Sequence, residues 1–133
     1  CWRVQHGIFK NNVSYANERH GISIGHQDTD NLFINNHIYE NKKHGVYFRD
    51  ETEQNSGHRN TFRNNIIENN GSPDFEAYGI YIGGRTHDIV IESNTFRSTG
   101  KGNQVAAVCI GKYSSRVVMK NNKITGCERK VQE

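Results

Sequence analysis

The sequence is poor in the residues that most globular domains use to build a core. Only 33% of its 133 residues are hydrophobic, there is a single proline, and the mean hydropathy is −0.85. No apolar run approaches the ~18 residues of a membrane span. A low apolar fraction is also typical of disorder. Here the apolar residues recur evenly at strand spacing, so we predict an ordered chain.

Cysteine and charge exclude further classes of protein. The three cysteines show no metal-binding spacing, and Cys1 and Cys127 lie at opposite ends of the chain, too far apart for a disulfide in the repeat described below. The 17 Lys/Arg and 14 Asp/Glu residues give a net charge of +3 and are spread along the chain. This mild bias is compatible with an acidic partner but lacks the clustered basic footprint of a nucleic-acid-binding protein.

Paired polar corners divide the chain into repeats. They are Asn11-Asn12, Asn35-Asn36, Asn64-Asn65, Ser93-Asn94 and Asn121-Asn122. Their second members stand at 12, 36, 65, 94 and 122, so the steps are 24, 29, 29 and 28 residues. A strand pattern repeats as well, as GISI from Gly21, GVYF from Gly45, GIYI from Gly79 and AVCI from Ala107. Self-similarity at this period indicates a solenoid.

The repeat predicts an all-β fold, a parallel β-helix of about five rungs in one domain over residues 1–133. The predicted rungs are 1–19 (partial), 20–43, 44–77, 78–105 and 106–126, with 127–133 as a polar tail. The second rung has five extra residues in its connector between Asp50 and Asn60. Because the first rung is partial and no helix covers it, we expect the chain to be a segment of a longer β-helix.

Alternation along the strands predicts which side chains face inward and stack from rung to rung. Two predicted columns are Ile22, Val46, Ile80 and Val108, and Ile24, Phe48, Ile82 and Ile110. A third, on another sheet, is Phe9, Phe33, Phe62, Ile91 and Met119. The corner residues Asn12, Asn36, Asn65, Asn94 and Asn122 are predicted to form an amide ladder, since asparagine also tolerates a left-handed turn.

The motif x-G-I-x-I-G followed by I-x-N-N-x-I-x-x-N occurs as GISIGHQDTDNLFINNHIYEN and, in variant form, as GIYIGGRTHDIVIESNTF. It resembles the right-handed parallel β-helix repeats of carbohydrate-active proteins, including pectate-lyase-like enzymes, alginate lyases, mannuronan C5-epimerases and glycoside hydrolases. The resemblance covers essentially the whole chain and implies a right-handed helix. It also implies an acidic polysaccharide as partner, and a secreted, periplasmic or cell-surface location. The same scaffold serves phage tailspikes and adhesins.

One stretch is similar to epimerases in particular. KKHGVYFRDE, residues 42–51, resembles a K-H-G-hydrophobic stretch that carries a working histidine in those enzymes, and this histidine corresponds to His44. Where they have an Asp-Pro-His signature, this chain has Gly25-His26-Gln27-Asp28. No set of calcium-binding carboxylates matched to a pectate-lyase arginine is evident. Calcium is a possible cofactor, and no metal ligands are assigned.

The turns that follow the GIxI strands are the predicted place for chemistry, because stacked turns bring polar groups from several rungs together. The candidate catalytic residues are His26, Asp28, Arg49, Glu51, His58 and Arg85. The alternative is an ordinary solvated turn, for which Asp28-Thr29-Asp30-Asn31 is a suitable sequence.

These residue types can be given roles in acidic-glycan chemistry. An arginine, Arg49 or Arg85, would neutralise a uronate carboxylate. A histidine, His26 or His58, would then remove the adjacent proton. The carboxylates of Asp28, Asp30 and Glu51 would orient the base, bind calcium, or act as a pair in hydrolysis.

Further residues are candidates for binding substrate. They are Asp30, His44, Tyr47, Arg59, Tyr81, Lys112 and Tyr113. Tyr47 and Tyr81 occupy one outward column on adjacent rungs and would form a platform for sugar rings. Ordinary stacking between neighbouring strands is the alternative for this pair.

Three functions follow as hypotheses. The first is lyase or epimerase chemistry on an acidic polysaccharide, through proton abstraction next to a uronate carboxylate. The second is a noncatalytic β-helix that binds glycan or serves as a stalk. The third is glycoside hydrolysis by a pair of carboxylates. The sequence predicts no nucleic acid or membrane span, and no oligomeric state follows from it.

Overall fold

The computed structural model describes all residues, 1–133, as fifteen β-strands and a single 3₁₀ turn at Glu53–Asn55. The strands form three parallel sheets of five strands each. Three successive strands make one rung, one strand in each sheet, so the chain winds as a parallel solenoid. The predicted all-β solenoid is confirmed. No helix is long and apolar enough to cross a bilayer.

Each sheet takes every third strand. Sheet 1 contains β1 (Ile8–Lys10), β4 (Leu32–Ile34), β7 (Thr61–Arg63), β10 (His87–Glu92) and β13 (Ser115–Lys120). Sheet 2 contains β2 (Val13–Tyr15), β5 (His37–Tyr39), β8 (Ile66–Glu68), β11 (Thr95–Arg97) and β14 (Lys123–Thr125). Sheet 3 contains β3 (Ile22–Ile24), β6 (Val46–Phe48), β9 (Ala77–Ile82), β12 (Gln104–Ile110) and β15 (Glu128–Gln132).

The three predicted inward columns are confirmed by the strand register. In sheet 1, Phe9, Phe33, Phe62, Ile91 and Met119 pair in succession. In sheet 3, both predicted inward columns pair rung to rung. Sheet 2 follows the asparagine corners, and no inward column was predicted for it. It adds Ile38, Ile67 and Phe96 to the core. Like side chains therefore stack along the axis, and Phe33 lies 4.5 Å from the ring of Phe62.

The corner asparagines form the predicted ladder. The backbone N–H of Asn36 donates to the amide oxygen of Asn65 at 2.9 Å, and its side-chain N–H₂ donates to the same oxygen at 3.0 Å. The pattern repeats from Asn12 to Asn122. The left-handed backbone falls on the first member of each pair, with φ between 56° and 60°, and Ser93 adopts it as the asparagines do.

A second amide column follows sheet 2. Asn17, Asn41, Asn70 and Gln104 are linked in order by side-chain hydrogen bonds of 2.8 to 2.9 Å. No buried side-chain nitrogen or oxygen in the structure lacks a hydrogen-bond partner. The ladders thus satisfy the polar groups that a narrow coil would otherwise bury at a cost.

Two features of the structure differ from expectation: the conformation of residues 127–133 and the burial of Cys109. Residues 127–133, predicted to be a polar tail, contain β15, which pairs with β12 through Lys130 and Val131 among others. The sequence pattern did not reveal this strand, because Val131 is its only apolar residue and the other four residues are exposed. Cys109 lies at the outward position that the alternation assigns, yet it is fully buried. The five extra residues of the second rung form the loop that contains the 3₁₀ turn.

Candidate functional site

Asp28, a predicted catalytic residue, is fully buried at the turn after β3. Its carboxylate accepts the backbone N–H of Val4 at 2.9 Å and that of Gly25 at 3.0 Å. The intervening His26 and Gln27 both have positive φ. Asp28 therefore stabilises a tight turn, and any part it plays in chemistry must pass through Arg49, whose guanidinium is 4.0 Å away.

Arg49, Glu51 and His26 do come together beside that turn. Arg49 donates to the Ser23 hydroxyl at 2.9 Å and lies 3.6 Å from the Glu51 carboxylate. The same carboxylate accepts the His26 backbone N–H at 3.4 Å. The His26 ring is stacked on Trp2, with ring centroids 3.7 Å apart. The cluster is thus convergent. Arg49 and one oxygen of Glu51 are engaged within the protein, whereas the His26 ring stacks on Trp2 and its nitrogens make no hydrogen bond within the protein.

His58 is buried in the long loop and uses both ring nitrogens. Nδ1 accepts the backbone N–H of His87 at 3.1 Å, and Nε2 donates to the Glu53 carbonyl at 2.6 Å. Burial lowers the pKa of His58. The ring is held neutral with neither nitrogen directed to a ligand.

The remaining predicted residues fall into two groups. Arg59 forms a bidentate ion pair with Asp30, at 2.8 and 3.2 Å, on the surface. Arg85 lies over the ring of Tyr113 at 5.0 Å, and Lys112 lies near the same ring at 5.1 Å. This second group flanks a concavity on sheet 3.

The outer face of sheet 3 carries a groove that we call the sheet-3 groove, with a volume of about 330 Å³. Its lining residues are Arg19, His20, Lys43, His44, Tyr47, Asp50, Phe75 and Tyr81. Asp50 and Tyr81 also line an adjoining concavity with Lys112, Tyr113 and Glu133. The two concavities are therefore one continuous surface that crosses successive rungs. Five predicted binding residues, His44, Tyr47, Tyr81, Lys112 and Tyr113, lie along it.

Stacked rings form the floor of the sheet-3 groove. His20 and His44 stack at 5.3 Å between centroids, and Tyr47 and Tyr81 at 5.7 Å. His44 bridges the two columns, since it lies 5.1 Å from Tyr81. Burial raises the pKa of both Tyr47 and Tyr81, so the phenols stay protonated at neutral pH. Tyr81 also donates to Glu133 at 3.2 Å.

The walls of the groove include cations without ion-pair partners. Arg59, Arg63, Arg97 and Arg116 are each paired with a carboxylate elsewhere on the surface. None of the ion pairs in the structure involves Arg19 or Lys43. The Lys43 ammonium lies 5.3 Å from the ring centroid of Phe75. A wall with unpaired positive charge favours an anionic ligand.

Phe75 reaches the groove from a loop that sequence reasoning did not place there. Residues 72–75 form a tight turn in which Ser72 and Phe75 exchange backbone hydrogen bonds of 3.1 and 3.0 Å. This turn sets the Phe75 ring edge-on to His44, at 5.1 Å. Arg19 and Lys43 were missed as well. Their position directly before His20 and His44 was the available indication.

A larger concavity, of about 610 Å³, lies beside residues 98–105 and 126–128. It is lined mainly by glycines and polar side chains, together with Val105 and Cys127, and contains no aromatic ring. We place the candidate site at the sheet-3 groove because ring faces, cations and a carboxylate converge there. No group of three or more His, Cys, Asp or Glu side chains is arranged to hold a metal ion.

Comparison with known proteins agrees with the architecture. A family model described as "Right handed beta helix region" matches residues 2–96 and residues 56–132, which together span nearly the whole chain. No curated protein matches the sequence. No solved structure matches it either. With three parallel sheets wound as a solenoid and this match along its length, the chain belongs to the right-handed β-helix family.

Proposed function

We propose that this β-helix binds an acidic polysaccharide in the sheet-3 groove. The observation that carries the proposal is the combination of an aromatic floor with unpaired cations, Arg19 and Lys43. Flat rings offer an apolar surface to the C–H face of a sugar, while their polar edges hydrogen-bond. Cationic side chains add charge-assisted hydrogen bonds to a carboxylate or sulfate.

Binding is favoured over catalysis by Asp28 or His58, because both side chains are fully engaged within the protein. The Asp28 carboxylate is buried and accepts two backbone N–H groups. Both ring nitrogens of His58 have partners within the protein. A general acid or base needs a free site within reach of its substrate.

Lyase or epimerase chemistry remains a second candidate because one carboxylate lies free in the groove region. Asp50 is exposed and lines both concavities, and only one of its oxygens is engaged, by the Gly84 backbone N–H at 2.8 Å. Its other oxygen is open to a proton from a bound uronate. Arg19 or Lys43 would neutralise the uronate carboxylate in that reaction.

The test is a titration of the chain with alginate, polygalacturonate and a sulfated glycosaminoglycan, against neutral glycans of similar length. Lys43→Gln removes a groove cation, and Lys123→Gln removes an exposed lysine on sheet 2 as its matched control. We expect Lys43→Gln to weaken acidic-glycan binding by about tenfold or more, as for the loss of one charge-assisted hydrogen bond. Lys123→Gln should bind as the wild type does.

Five outcomes separate the hypotheses. Equal loss in the two lysine variants would mean that binding is nonspecific charge attraction, and no binding to any glycan would overturn the proposal. Unsaturated uronate released during the titration would establish elimination, and solvent-proton exchange without cleavage would establish epimerisation. An Asp50→Asn variant that keeps binding and loses turnover would assign the base.

The partner class also bears on where the protein acts. Acidic polysaccharides of this kind are met outside the cell, in the periplasm or at a cell surface. We therefore propose one of these locations for the protein. Detection of the tagged full-length protein in the culture medium or on the surface of its own cells would support this location, and confinement to the cytoplasm would contradict it.

A further inference from the structure

A column of rings precedes the strands of sheet 3. His20, His44 and Tyr78 each stand directly before a glycine and stack on one another. The His20 and His44 ring centroids are 5.3 Å apart, and those of His44 and Tyr78 are 5.4 Å apart. The ring planes differ by only 7° and 12° in these two pairs.

Hydrogen bonds run along this column from backbone to ring. The backbone N–H of His44 donates to Nδ1 of His20 at 3.1 Å. The backbone N–H of Tyr78 donates to Nδ1 of His44 at 3.0 Å. A backbone N–H has no alternative role, so each Nδ1 must be the unprotonated, accepting nitrogen. The single proton of each neutral imidazole is therefore on Nε2.

Nε2 of His44 has no partner within the protein. Since every buried side-chain nitrogen or oxygen has a hydrogen-bond partner, this nitrogen reaches the surface, and His44 lines the sheet-3 groove. It presents an N–H, which donates, and no lone pair, which would accept. Beside it, Lys43 and Arg19 also offer donors only.

We propose that His44 binds the groove's ligand as a neutral N–H donor held in one tautomer, with His20 as the positioning residue that holds its backbone and ring in place. The ligand part of this inference rests on the proposed function. It assigns the chemistry of the ligand group as an acceptor oxygen, a carboxylate, sulfate or hydroxyl. It also means that His44 does not take a proton from the ligand, because its one lone pair is committed to Tyr78.

Charge on the pair is disfavoured by its surroundings. Burial is the main cause that lowers the pKa of His20 and His44 to about 4, and the nearby cations add to it. The titratable and charged groups that face the pair are Arg19, Lys43, Tyr47, Asp50, Tyr78 and Tyr81. Burial raises the pKa of the three phenols, Tyr47, Tyr78 and Tyr81, so these groups stay protonated at neutral pH.

The first experiment needs no ligand. Long-range proton–nitrogen correlation spectra of the ¹⁵N-labelled full chain report which ring nitrogen carries the proton. We expect His20 and His44 to show protonated Nε2 and unprotonated Nδ1, unchanged from about pH 8 down to about pH 5. A proton on Nδ1, or averaging of the two tautomers, would overturn the inference whether or not any glycan binds.

The second experiment separates the two nitrogens of His44. His44→Asn keeps an oxygen near the Nδ1 position to accept the Tyr78 N–H but has no donor at Nε2, and His44→Phe keeps the ring alone. We expect His44→Asn to melt close to the wild type yet bind acidic glycan about tenfold more weakly. Unchanged affinity in that variant would contradict the role of the Nε2 donor.

The role of His20 is tested by rescue. His20→Phe keeps the stacked ring and loses the acceptor for the His44 N–H, whereas His20→Asn restores an acceptor. We expect His20→Phe to weaken binding and to allow averaging of the His44 nitrogen signals, and His20→Asn to recover most of both. Equal behaviour of the two variants would show that ring stacking alone, and not the Nδ1 acceptor, is what matters.

Discussion

Three histidines in this β-helix act as acceptors for the backbone of the following rung. His20, His44 and His58 each receive a backbone N–H at Nδ1, at 3.0 to 3.1 Å. The pKa of each is lowered, with burial as the main cause. In this position the imidazole Nδ1 accepts a backbone N–H, as a carbonyl of a neighbouring strand would. It can do so only while the ring is neutral, because a protonated Nδ1 has no lone pair.

Stability should therefore fall in acid before most carboxylates titrate. A histidine with a lowered folded pKa contributes stability above its unfolded value, ~6.5, and loses that contribution as the pH falls toward the folded value of about 4. We expect His44 to account for about 1–3 kcal/mol of this loss. Urea unfolding at a series of pH values, with His44→Asn as the variant lacking the ionisable ring, measures it. Parallel curves for the two proteins would contradict the assignment.

The aromatic core makes a separate prediction. Phe62 is fully buried and stacked on Phe33 at 4.5 Å. Phe62→Ala should lower the free energy of unfolding by about 3–5 kcal/mol, since it removes contacts and leaves a cavity. The half-exposed Val118 on the same sheet is a control, and Val118→Ala should change little. A small loss for Phe62→Ala in urea would contradict the assigned core.

At the scale of single residues, the sequence predicted on which side of a strand a side chain lies better than it predicted whether that side chain is buried. Alternation placed Phe62 inward and Tyr47 outward, because strand geometry alone decides the side. The same alternation could not show that Asp28 is buried, since its burial depends on the backbone N–H of Val4 in the preceding rung. Nor could it show that Cys109 is covered at an outward position, which results from neighbouring side chains in three dimensions.

Among the structural elements, the two amide columns are the most regular. Asn65 accepts both N–H groups of Asn36, and its own side chain donates to the Phe33 carbonyl at 2.9 Å and to Asn94 at 3.0 Å. Every hydrogen-bonding position of this buried amide is thus used. Its removal would leave a backbone N–H and a carbonyl without partners.

Asn65→Ala should consequently be costly for a change of one small side chain. We expect a loss of about 2–4 kcal/mol in unfolding free energy, from two unsatisfied buried groups. Asn12→Ala is the matched control, because Asn12 is exposed and its amide oxygen accepts from no other rung. Similar losses in chemical denaturation of the two variants would mean that the ladder does not act through burial.

The corner ladder was predictable and the second column was not. Double asparagines repeat in the sequence, whereas Gln104 replaces asparagine in the second column and hides its period. The groove shows the same division. Tyr47 and Tyr81 share strand register and were predicted from it, and His44 was predicted from a resemblance to an epimerase stretch. Phe75 depends on the turn between Ser72 and Phe75, which no repeat specifies.

For the whole molecule, the direction of the groove matters. The surface from His20 to Lys112 passes over four successive rungs, which is three steps of ~4.8 Å or ~14 Å in all. A ligand chain would lie across the strands and along the axis. It would contact Arg19 and Lys43 near one end and Lys112 near the other.

Affinity should then depend on chain length. Acidic monosaccharides reach one end only, so we expect binding to strengthen stepwise up to oligosaccharides that span ~14 Å, and to level off beyond them. Calorimetric titration with a size series of alginate and polygalacturonate fragments measures this. Lys112→Gln should weaken the long fragments and leave the short ones unchanged, and a length-independent affinity would argue for a single-residue site.

The corner asparagines have one more consequence, for how such a chain can change over evolutionary time. Each rung finds its place through an amide that contacts only the rung before and the rung after. The loop between Asp50 and Asn60 is five residues longer than its counterparts, yet Asn65 returns to register. The asparagine column thus restores the same alignment between neighbouring rungs even when the loop before it is longer. Loops beside the groove are therefore free to lengthen and diversify while the frame that carries them stays constant.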